Sequence, residues 1–259
     1  MSGVCIESAG TGPPLVLLHG WAMHSGLFAP LLPHLTDRFR VHRVDLPGHG
    51  RSTAVAPYTL DAIVAALAAA VAQAAGVAEP LTLLGWSLGG TVALRWASAE
   101  PAQIGRLILT GTTPCFVARP DWPHALSAPT LRQFGDELAV SYRLTLQRFV
   151  ALQVRDSDHE RTVLARLRGE LFARGEPSPA ALSAALELLA TTDLRGEVAS
   201  IAQPAVVIAG ERDYLIPQEA AAWLAGALPR GSLHMIRGAA HAPFLSHPAA
   251  FAAAMADAR

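Results

Sequence analysis

Ser87 is a candidate catalytic residue, because glycines lie two residues before and two residues after it in the segment 85–89. The apolar run 81–84 precedes this segment and a helical pattern follows it, which predicts a sharp turn from strand into helix at the serine. Glycines suit such a turn because its strained backbone passes too close to its neighbours for a Cβ. The pattern predicts a serine nucleophile at a helix N-terminus that favours anions, and an ordinary glycine turn is the alternative interpretation.

Asp213 and His241 are the candidate partners of Ser87, because a serine hydroxyl needs a base and the base needs an orienting acid. Asp213 follows the apolar run 205–208, and His241 follows the run 232–236. Both are therefore expected at the carboxyl-terminal edge of a parallel sheet, where the serine turn also lies. The order serine, aspartate, histidine is that of hydrolases built on this turn.

Two other residues compete for these roles. Glu211 is a neighbouring candidate for the acid, but the apolar pair and the proline within 215–217 indicate a rigid loop, which favours Asp213. Cys115 also follows an apolar run and resembles a nucleophile by position. No glycines surround it, so we interpret Cys115 as a small buried residue.

The segment 19–21 (HGW) follows another apolar run, and an amide there is expected to face the start of the serine helix at Leu88. Two backbone amides in this arrangement form an oxyanion hole. His19 is expected to stabilise this loop rather than to act as a base. Asp45 and His49 are expected to shape a neighbouring glycine-containing loop.

Short apolar runs alternate with helical stretches along most of the chain, which predicts a parallel sheet built by right-handed crossovers. The alternation stops between residues 112 and 195, where the periodicity is helical throughout. An all-helical insertion has to lie over one end of the sheet, as a lid. We therefore predict a first core segment (1–111), a helical cap (112–195) and a second core segment (196–259).

Composition narrows the class of protein. Half of the 259 residues are hydrophobic and the net charge is -1, with a pI near 6.8. This balance argues against nucleic acid or an anionic membrane as a partner. The two cysteines, Cys5 and Cys115, follow no metal or redox spacing, which fits reduced thiols in a cytoplasmic protein. No signal peptide is visible, and the uncharged run 62–78 is short for a membrane span, so we predict a buried helix there.

Several motifs together resemble one known superfamily. The chain resembles the α/β-hydrolase superfamily over nearly its whole length, and the elbow tryptophan with segment 148–153 narrows the resemblance to a family of methyl ester esterases of biotin synthesis. Residues 22–24 and 211–212 depart from that family's pattern and leave the shape of the pocket open. The segments that carry the resemblance are 17–21, 45–48, 85–90, 114–116, 121–123, 148–153, 192–195 and 239–244.

The resemblance implies an α/β-hydrolase fold, with a mostly parallel eight-stranded sheet flanked by helices and a helical cap inserted after the sixth strand. It implies Ser87 as nucleophile, with Asp213 and His241 as its partners. It also implies that the backbone amides of Trp21 and Leu88 form the oxyanion hole, and that Trp21, Ser87, Leu88 and His241 contact the substrate. The implied wall against the acyl chain is Phe149, Val150, Ala151, Leu152 and Gln153.

The implied reaction is hydrolysis of the methyl ester of a pimeloyl chain on acyl carrier protein, through an acyl-enzyme on Ser87. It requires no metal and no organic cofactor, and we expect a monomer. Two alternatives remain open, since a fold does not fix a substrate. One is a general short-chain carboxylesterase or a carbon–carbon bond hydrolase on the same fold. The other is a non-catalytic receptor that keeps the pocket for a ligand.

Arginines are frequent in the predicted cap. Between residues 131 and 174 eight arginines face six acidic residues, a local excess of two positive charges. A solvated helix surface with i,i+4 ion pairs is one interpretation. The resemblance favours another, because acyl carrier proteins are strongly acidic and an arginine face would attract one. The expected docking residues are Arg148, Arg161 and Arg168.

Overall fold

The computed structural model describes residues 3–76 and 79–257. Within them seven strands form one sheet, in the order β1-β3-β2-β4-β5-β6-β7. Only β1 runs antiparallel, against β3, and all other neighbours are parallel. The strands are β1 (Ile6–Ala9), β2 (Pro14–Leu18), β3 (Arg40–Val44), β4 (Leu81–Trp86), β5 (Ile104–Thr110), β6 (Ala205–Gly210) and β7 (Gly231–Ile236).

The sheet corrects two expectations. The prediction of eight strands is wrong, since the described residues form seven, and the helical insertion follows the fifth strand rather than the sixth. The reason lies before β2, where the chain has room for one strand of four residues and a turn in which Gly10 and Gly12 take positive φ. That single strand lies at the edge of the sheet.

The α-helices of the described residues flank the sheet or lie between β5 and β6 in the chain. Helix α2 packs on β4 and β5, and α7 packs on β6 and β7. The helices are α1 (Leu60–Ala75), α2 (Leu88–Ala99), α3 (Ala128–Leu152), α4 (Glu160–Glu170), α5 (Pro179–Thr191), α6 (Arg195–Val198), α7 (Gln218–Ala227), α8 (Pro243–Ser246) and α9 (Pro248–Ala254). Short 3₁₀ helices cover Ser25–His34, Pro101–Gln103 and Met255–Asp257.

Between β5 and β6, residues 112–195 contribute no strand to the sheet. We call α3, α4 and α5 the cap helices. Helix α3 packs on α4 and α5, and α4 packs on α8 and on the 3₁₀ helix that begins at Ser25. A non-helical Ser141 kinks α3 in its middle. The boundaries of core and cap stay a prediction.

The uncharged run 62–78 corresponds to α1, which the structure describes as far as Ala75. Its last two residues lie outside the described residues, as do residues 1, 2, 258 and 259 of the predicted core segments. Within the described ranges, none of the helices has the length and apolar character needed to cross a membrane.

Candidate active site

Ser87 lies between the end of β4 and the start of α2, as the glycine pattern predicts. Its φ of 55° and ψ of -119° place a non-glycine residue in a left-handed conformation that few side chains adopt. The residue is nearly buried, with 5% of its surface exposed. The strained turn is thus present at the proposed nucleophile.

The flanking glycines are required by close approach. A Cβ on Gly85 would lie 2.6 Å from the Cα of Gly90, and a Cβ on Gly90 would lie 2.5 Å from the Cβ of Thr112. A Cβ on Gly89 would clash with the carbonyl oxygen of Leu18. Any side chain at these positions would push α2 away from the sheet and move the serine with it.

Asp213 and His241 form a buried pair. The Nδ1 of His241 lies 2.9 Å from Oδ2 of Asp213, and their side chains are 2% and 3% exposed. The other carboxylate oxygen accepts the backbone N–H groups of Leu215 and Ile216, at 2.9 and 3.0 Å. Because a carboxylate only accepts hydrogen bonds, Nδ1 carries the proton and Nε2 is left as an acceptor.

Glu211, the competing acid, has a different partner. Its carboxylate accepts the backbone N–H of Gly238 at 3.0 Å, which ties the loop after β6 to the loop after β7. The geometry therefore favours Asp213 over Glu211 as the partner of His241.

The backbone of His241 is held on both sides. Its N–H donates to the carbonyl of Gln153 at 3.0 Å. Its carbonyl accepts the indole N–H of Trp86 at 2.9 Å, and the two rings lie 5.6 Å apart. Sequence reasoning missed these contacts, because no spacing pattern relates residues that are 88 and 155 positions from each other in sequence. The Nε2 atom is buried and has no hydrogen-bond partner among the described residues.

The loop 20–26, which we call the oxyanion loop, lies against the serine turn. A Cβ on Gly20 would be 3.1 Å from the Cβ of Ser87. Within the described residues, the backbone N–H groups of Trp21 and Leu88 donate no hydrogen bond. These two amides are the expected oxyanion donors, and the geometry leaves both available.

His19 supports this loop. Its ring lies 2.8 Å from the carbonyl oxygen of Gly20 through Nδ1, and its Nε2 accepts the backbone N–H of Leu46 at 2.9 Å. Burial lowers the pKa of His19 far below its ordinary value, and burial lowers the pKa of His49 to about 4. Both rings are therefore neutral near neutral pH, and both nitrogens of His19 are engaged in holding the loop.

A cavity of about 180 Å³ joins the serine turn to the cap helices. Ser87 and His241 both line it, and almost all of its remaining surface is apolar. The apolar lining includes Phe116, Leu131, Phe134, Leu186 and Leu189. Such a surface fits a hydrocarbon chain better than a polar ligand.

The predicted acyl wall is only partly on this cavity. Phe149 and Leu152 line it, whereas Val150, Ala151 and Gln153 are not among the lining residues. Successive residues of α3 point in different directions, so five in a row cannot all face one cavity.

Trp21 lies between the oxyanion loop and the cap helices. Its ring packs edge-on against Phe134 and Phe149, with ring centres 5.4 and 5.1 Å away. Its indole N–H donates to the carbonyl of Leu182 in α5 at 2.9 Å. The side chain is part of the cavity lining and is nearly buried.

The expected docking arginines occupy two different helices. Arg148 lines the cavity from α3, and 65% of its side chain is exposed, 3.7 Å from Glu137. Arg161 and Arg168 are exposed on α4 and do not line the cavity. Cys115 is fully buried, as predicted, with its Sγ 3.3 Å from Nε of Arg119.

Comparison with known proteins identifies the family. Residues 13–248 match the model of a family described as alpha/beta hydrolase fold. The chain is 43% identical over 251 residues to the pimeloyl-[acyl-carrier protein] methyl ester esterase of Nitrosomonas europaea, covering 97% of each chain. It is 46% identical over 243 residues to the protein of the same name from Xanthomonas campestris pv. campestris (strain B100), covering 93% of each.

Proteins of solved structure share this fold. An esterase from Exiguobacterium antarcticum superposes with a TM-score of 0.89 at 22% identity, over 98% of this chain and 94% of that one. At this identity the similarity concerns the fold alone. With the family model and the full-length relatives, it follows that this chain belongs to the α/β-hydrolase fold family and, within it, to the pimeloyl-[acyl-carrier protein] methyl ester esterases.

Proposed function

We propose that this chain hydrolyses the methyl ester of pimeloyl-[acyl-carrier protein], releasing methanol and the free pimeloyl carrier through an acyl-enzyme on Ser87. The observation that carries the proposal is the buried Asp213–His241 pair on an apolar cavity that Ser87 also lines. The names of the full-length relatives supply the substrate.

In the first half of the reaction, His241 Nε2 accepts the proton of the Ser87 hydroxyl as its oxygen attacks the ester carbonyl. The negative charge on the carbonyl oxygen is stabilised by the amides of Trp21 and Leu88. The protonated His241 then gives its proton to the departing methoxide, which leaves as methanol. Asp213 keeps the ring oriented and stabilises its charged form.

In the second half, water takes the place of methanol. His241 Nε2 removes a proton from the water as its oxygen attacks the acyl-enzyme carbonyl, and the same two amides hold the oxyanion. The proton then passes to Ser87 Oγ, which restores the serine and releases the carboxylic acid product. His241 is buried, which limits its contacts with bulk water.

The cavity suggests how a carrier-bound chain would lie. With the ester at Ser87, the acyl chain would run along the apolar lining, and exposed Arg148 marks where that lining meets solvent. Leu144 and Leu152 lie one turn before and after Arg148 and are 47% and 37% exposed. An apolar strip around an arginine complements an acidic partner with apolar contact residues, and Arg161 and Arg168 extend the positive charge on α4.

The test compares the pimeloyl-carrier methyl ester with methyl acetate and methyl butyrate, which have the same methoxide leaving group. We expect the carrier-bound ester to give a kcat/KM at least about tenfold higher than either simple ester, since binding energy from the acyl chain and the carrier adds to the same chemistry. Equal or lower values on the carrier-bound ester would instead favour a general short-chain carboxylesterase.

A fluorophosphonate probe separates an enzyme from a non-catalytic receptor, because only an activated serine reacts quickly with it. We expect rapid labelling of the wild type and none of Ser87→Ala. The proposal also includes a monomer in the cytoplasm. Light scattering after size-exclusion chromatography checks the monomer, and a mass of twice the chain would contradict it.

A further inference from the structure

The oxyanion loop is strained and has few backbone bonds of its own. Ala22, next to Trp21, takes a φ of 60°, a left-handed conformation that is unfavourable for a non-glycine residue. Such a conformation persists only where surrounding contacts hold it. The contacts that hold this loop are therefore informative about its function.

Three of those contacts come from the segment between β5 and β6. Trp21 donates its indole N–H to Leu182 O of α5. His24 lies 2.7 Å from the carbonyl of Glu170, the last residue of α4, through Nε2. Arg174, four residues later, donates from Nη1 to the Ser25 hydroxyl at 3.1 Å. The loop thus contacts two cap helices and the segment that joins them.

Arg174 is fixed from the core side as well. Its side chain is only 10% exposed, and it pairs with Glu7 at 2.6 Å and with Asp45 at 3.4 Å. Asp45 in turn accepts the backbone N–H of Ser25 at 2.8 Å. Arg174 and Asp45 therefore hold Ser25 together, one through its hydroxyl and the other through its amide.

His24 uses its two ring nitrogens for two different partners. Nδ1 accepts the backbone N–H of Gly26 at 3.1 Å, so it is unprotonated, and Nε2 carries the hydrogen that the Glu170 carbonyl accepts. The Gly26 contact lies within the loop and caps the 3₁₀ helix. The Glu170 contact joins the loop to α4.

We propose that His24 and Arg174 are positioning residues that make the oxyanion hole depend on the seating of the cap. With α4 and the segment after it in place, the two side chains hold residues 24 and 25, and the strained turn keeps the Trp21 amide directed at the substrate oxygen. Displacement of these elements removes both contacts and lets the loop relax. The inference rests on the proposed roles of Ser87 and Trp21, but not on the proposed substrate.

Two substitutions of His24 separate its two contacts. In His24→Asn, the side-chain oxygen still accepts the Gly26 N–H, as asparagine does at helix N-termini, but the side chain is too short to reach Glu170. In His24→Gln, the side-chain amide nitrogen takes the place of Nε2 and still donates to Glu170. If the contact with Glu170 positions the loop, His24→Gln should retain more activity than His24→Asn.

The assay uses p-nitrophenyl acetate, because an acetyl group makes little use of the acyl cavity. We expect His24→Asn to lower kcat by about tenfold with KM changed less than about twofold, since complete loss of one oxyanion donor costs about 10² to 10³ and displacement costs less. His24→Gln should stay within about threefold of wild type. Inhibition by a short trifluoromethyl ketone, which forms an oxyanion on Ser87, should weaken in the same order.

Arg174→Lys provides the second variant, because lysine keeps the charge but lacks the planar fork that reaches several partners at once. We expect a loss in kcat of at least about threefold. Arg195→Lys is the matched control, since the Arg195 side chain is 17% exposed and pairs with Asp121 and Asp193 rather than with the oxyanion loop, so its substitution should leave kcat unchanged. Thermal unfolding of each variant reports whether the fold is kept.

Several results would overturn the inference. These are equal kcat for His24→Asn and His24→Gln, a fall in thermal stability with unchanged kcat, or, should the His24 variants not fold, equal kcat for Arg174→Lys and Arg195→Lys. A wild type that neither hydrolyses p-nitrophenyl acetate nor reacts with fluorophosphonate would overturn the proposed function too. Normal wild-type activity with the wrong order of variants would overturn this inference alone.

Discussion

The central strands and the longest cap helix bury very different fractions of their side chains. Strand β4 is buried at five of its six residues. Helix α3 has 25 residues, of which four are buried: Leu138, Thr145, Leu146 and Val150. The sheet is therefore positioned by continuous apolar burial, while α3 lies on the surface of the protein over most of its length.

The cap helices contact the core through apolar side chains, such as Phe149 against Trp21, and also through a few directed polar contacts. Besides those of Trp21, His24 and Arg174, the side chain of Arg212 donates to the Asp156 carbonyl at 2.6 Å and pairs with Asp158 at 2.8 Å. The contacts of Trp21, His24 and Arg174 involve the oxyanion loop, and Arg212 lies in the loop that carries Asp213. We therefore expect substitutions in the sheet to act mainly on stability, and substitutions at the polar contacts between cap and core to act mainly on activity.

The largest effect is expected where the sheet edge presents the catalytic groups. Ser87→Ala, Asp213→Asn and His241→Ala should each lower kcat by about 10⁴ or more while the fold survives, because the three groups act as a unit. Steady-state kinetics with p-nitrophenyl acetate and circular dichroism check this. Glu211→Gln is the comparison, and near-full turnover by Asp213→Asn together with an inactive Glu211→Gln would show that the acid is misassigned.

A substitution in the sheet should lower the stability of the protein more than a substitution on the outer face of the cap. Leu83→Ala in β4, at a fully buried position, should lower the free energy of unfolding by about 3 kcal/mol through lost burial and a cavity. Leu144→Ala on α3, where the side chain is 47% exposed, should lower it by less than about 0.5 kcal/mol. Urea denaturation measures both, and equal losses would contradict the comparison.

Acid should destabilise the core through its buried histidines. The pKa of His49 is lowered by burial to about 4, so between about pH 6.5 and 4 the unfolded chain binds a proton at this residue and the folded chain does not. The contribution of His49 to the free energy of unfolding is complete above pH 6.5 and is lost as the pH falls toward 4. The total loss is at most about 3 kcal/mol. His19, whose pKa burial also lowers, acts in the same direction.

The measurement is urea denaturation at about pH 7, 6 and 5. His49→Asn should give a shallower loss of stability with falling pH than wild type, because one proton fewer is taken up on unfolding. Asparagine can still donate to the Pro47 carbonyl, which lies 3.2 Å from the His49 ring. The same slope in both proteins would mean that His49 is not the group that titrates.

The smallest effect is expected from the exposed cap charges. The triple substitution of Arg148, Arg161 and Arg168 by glutamate should lower kcat/KM on the carrier-bound ester by about tenfold at low salt and by less at high salt, as screening weakens the attraction. Hydrolysis of p-nitrophenyl acetate should hardly change. A parallel fall on both esters would assign the arginines to the structure of the cap, and no change on either would exclude this face as the docking surface.

Short patterns in the sequence predict much of the fold and of the candidate active site. The glycine spacing around Ser87 predicts the strained turn, and the apolar runs before Asp213 and His241 place those residues at the end of strands. Each signal lies within a few residues in sequence, because period and steric demand are local properties of a chain. The predicted number of eight strands is wrong, since the described residues form seven, and its source is the resemblance rather than a pattern in this sequence.

Tertiary structure decided which side chains meet. Distant segments meet where Phe149 and Leu152 line the cavity and where Trp86 and Gln153 contact His241. They also meet where the oxyanion loop contacts Glu170 through His24 and Arg174 through Ser25. No period or spacing encodes such pairs, since they follow from the order of strands in the sheet and from how the helices pack on it. The sequence determined the chemistry available at the sheet edge, and packing determined how that chemistry is held.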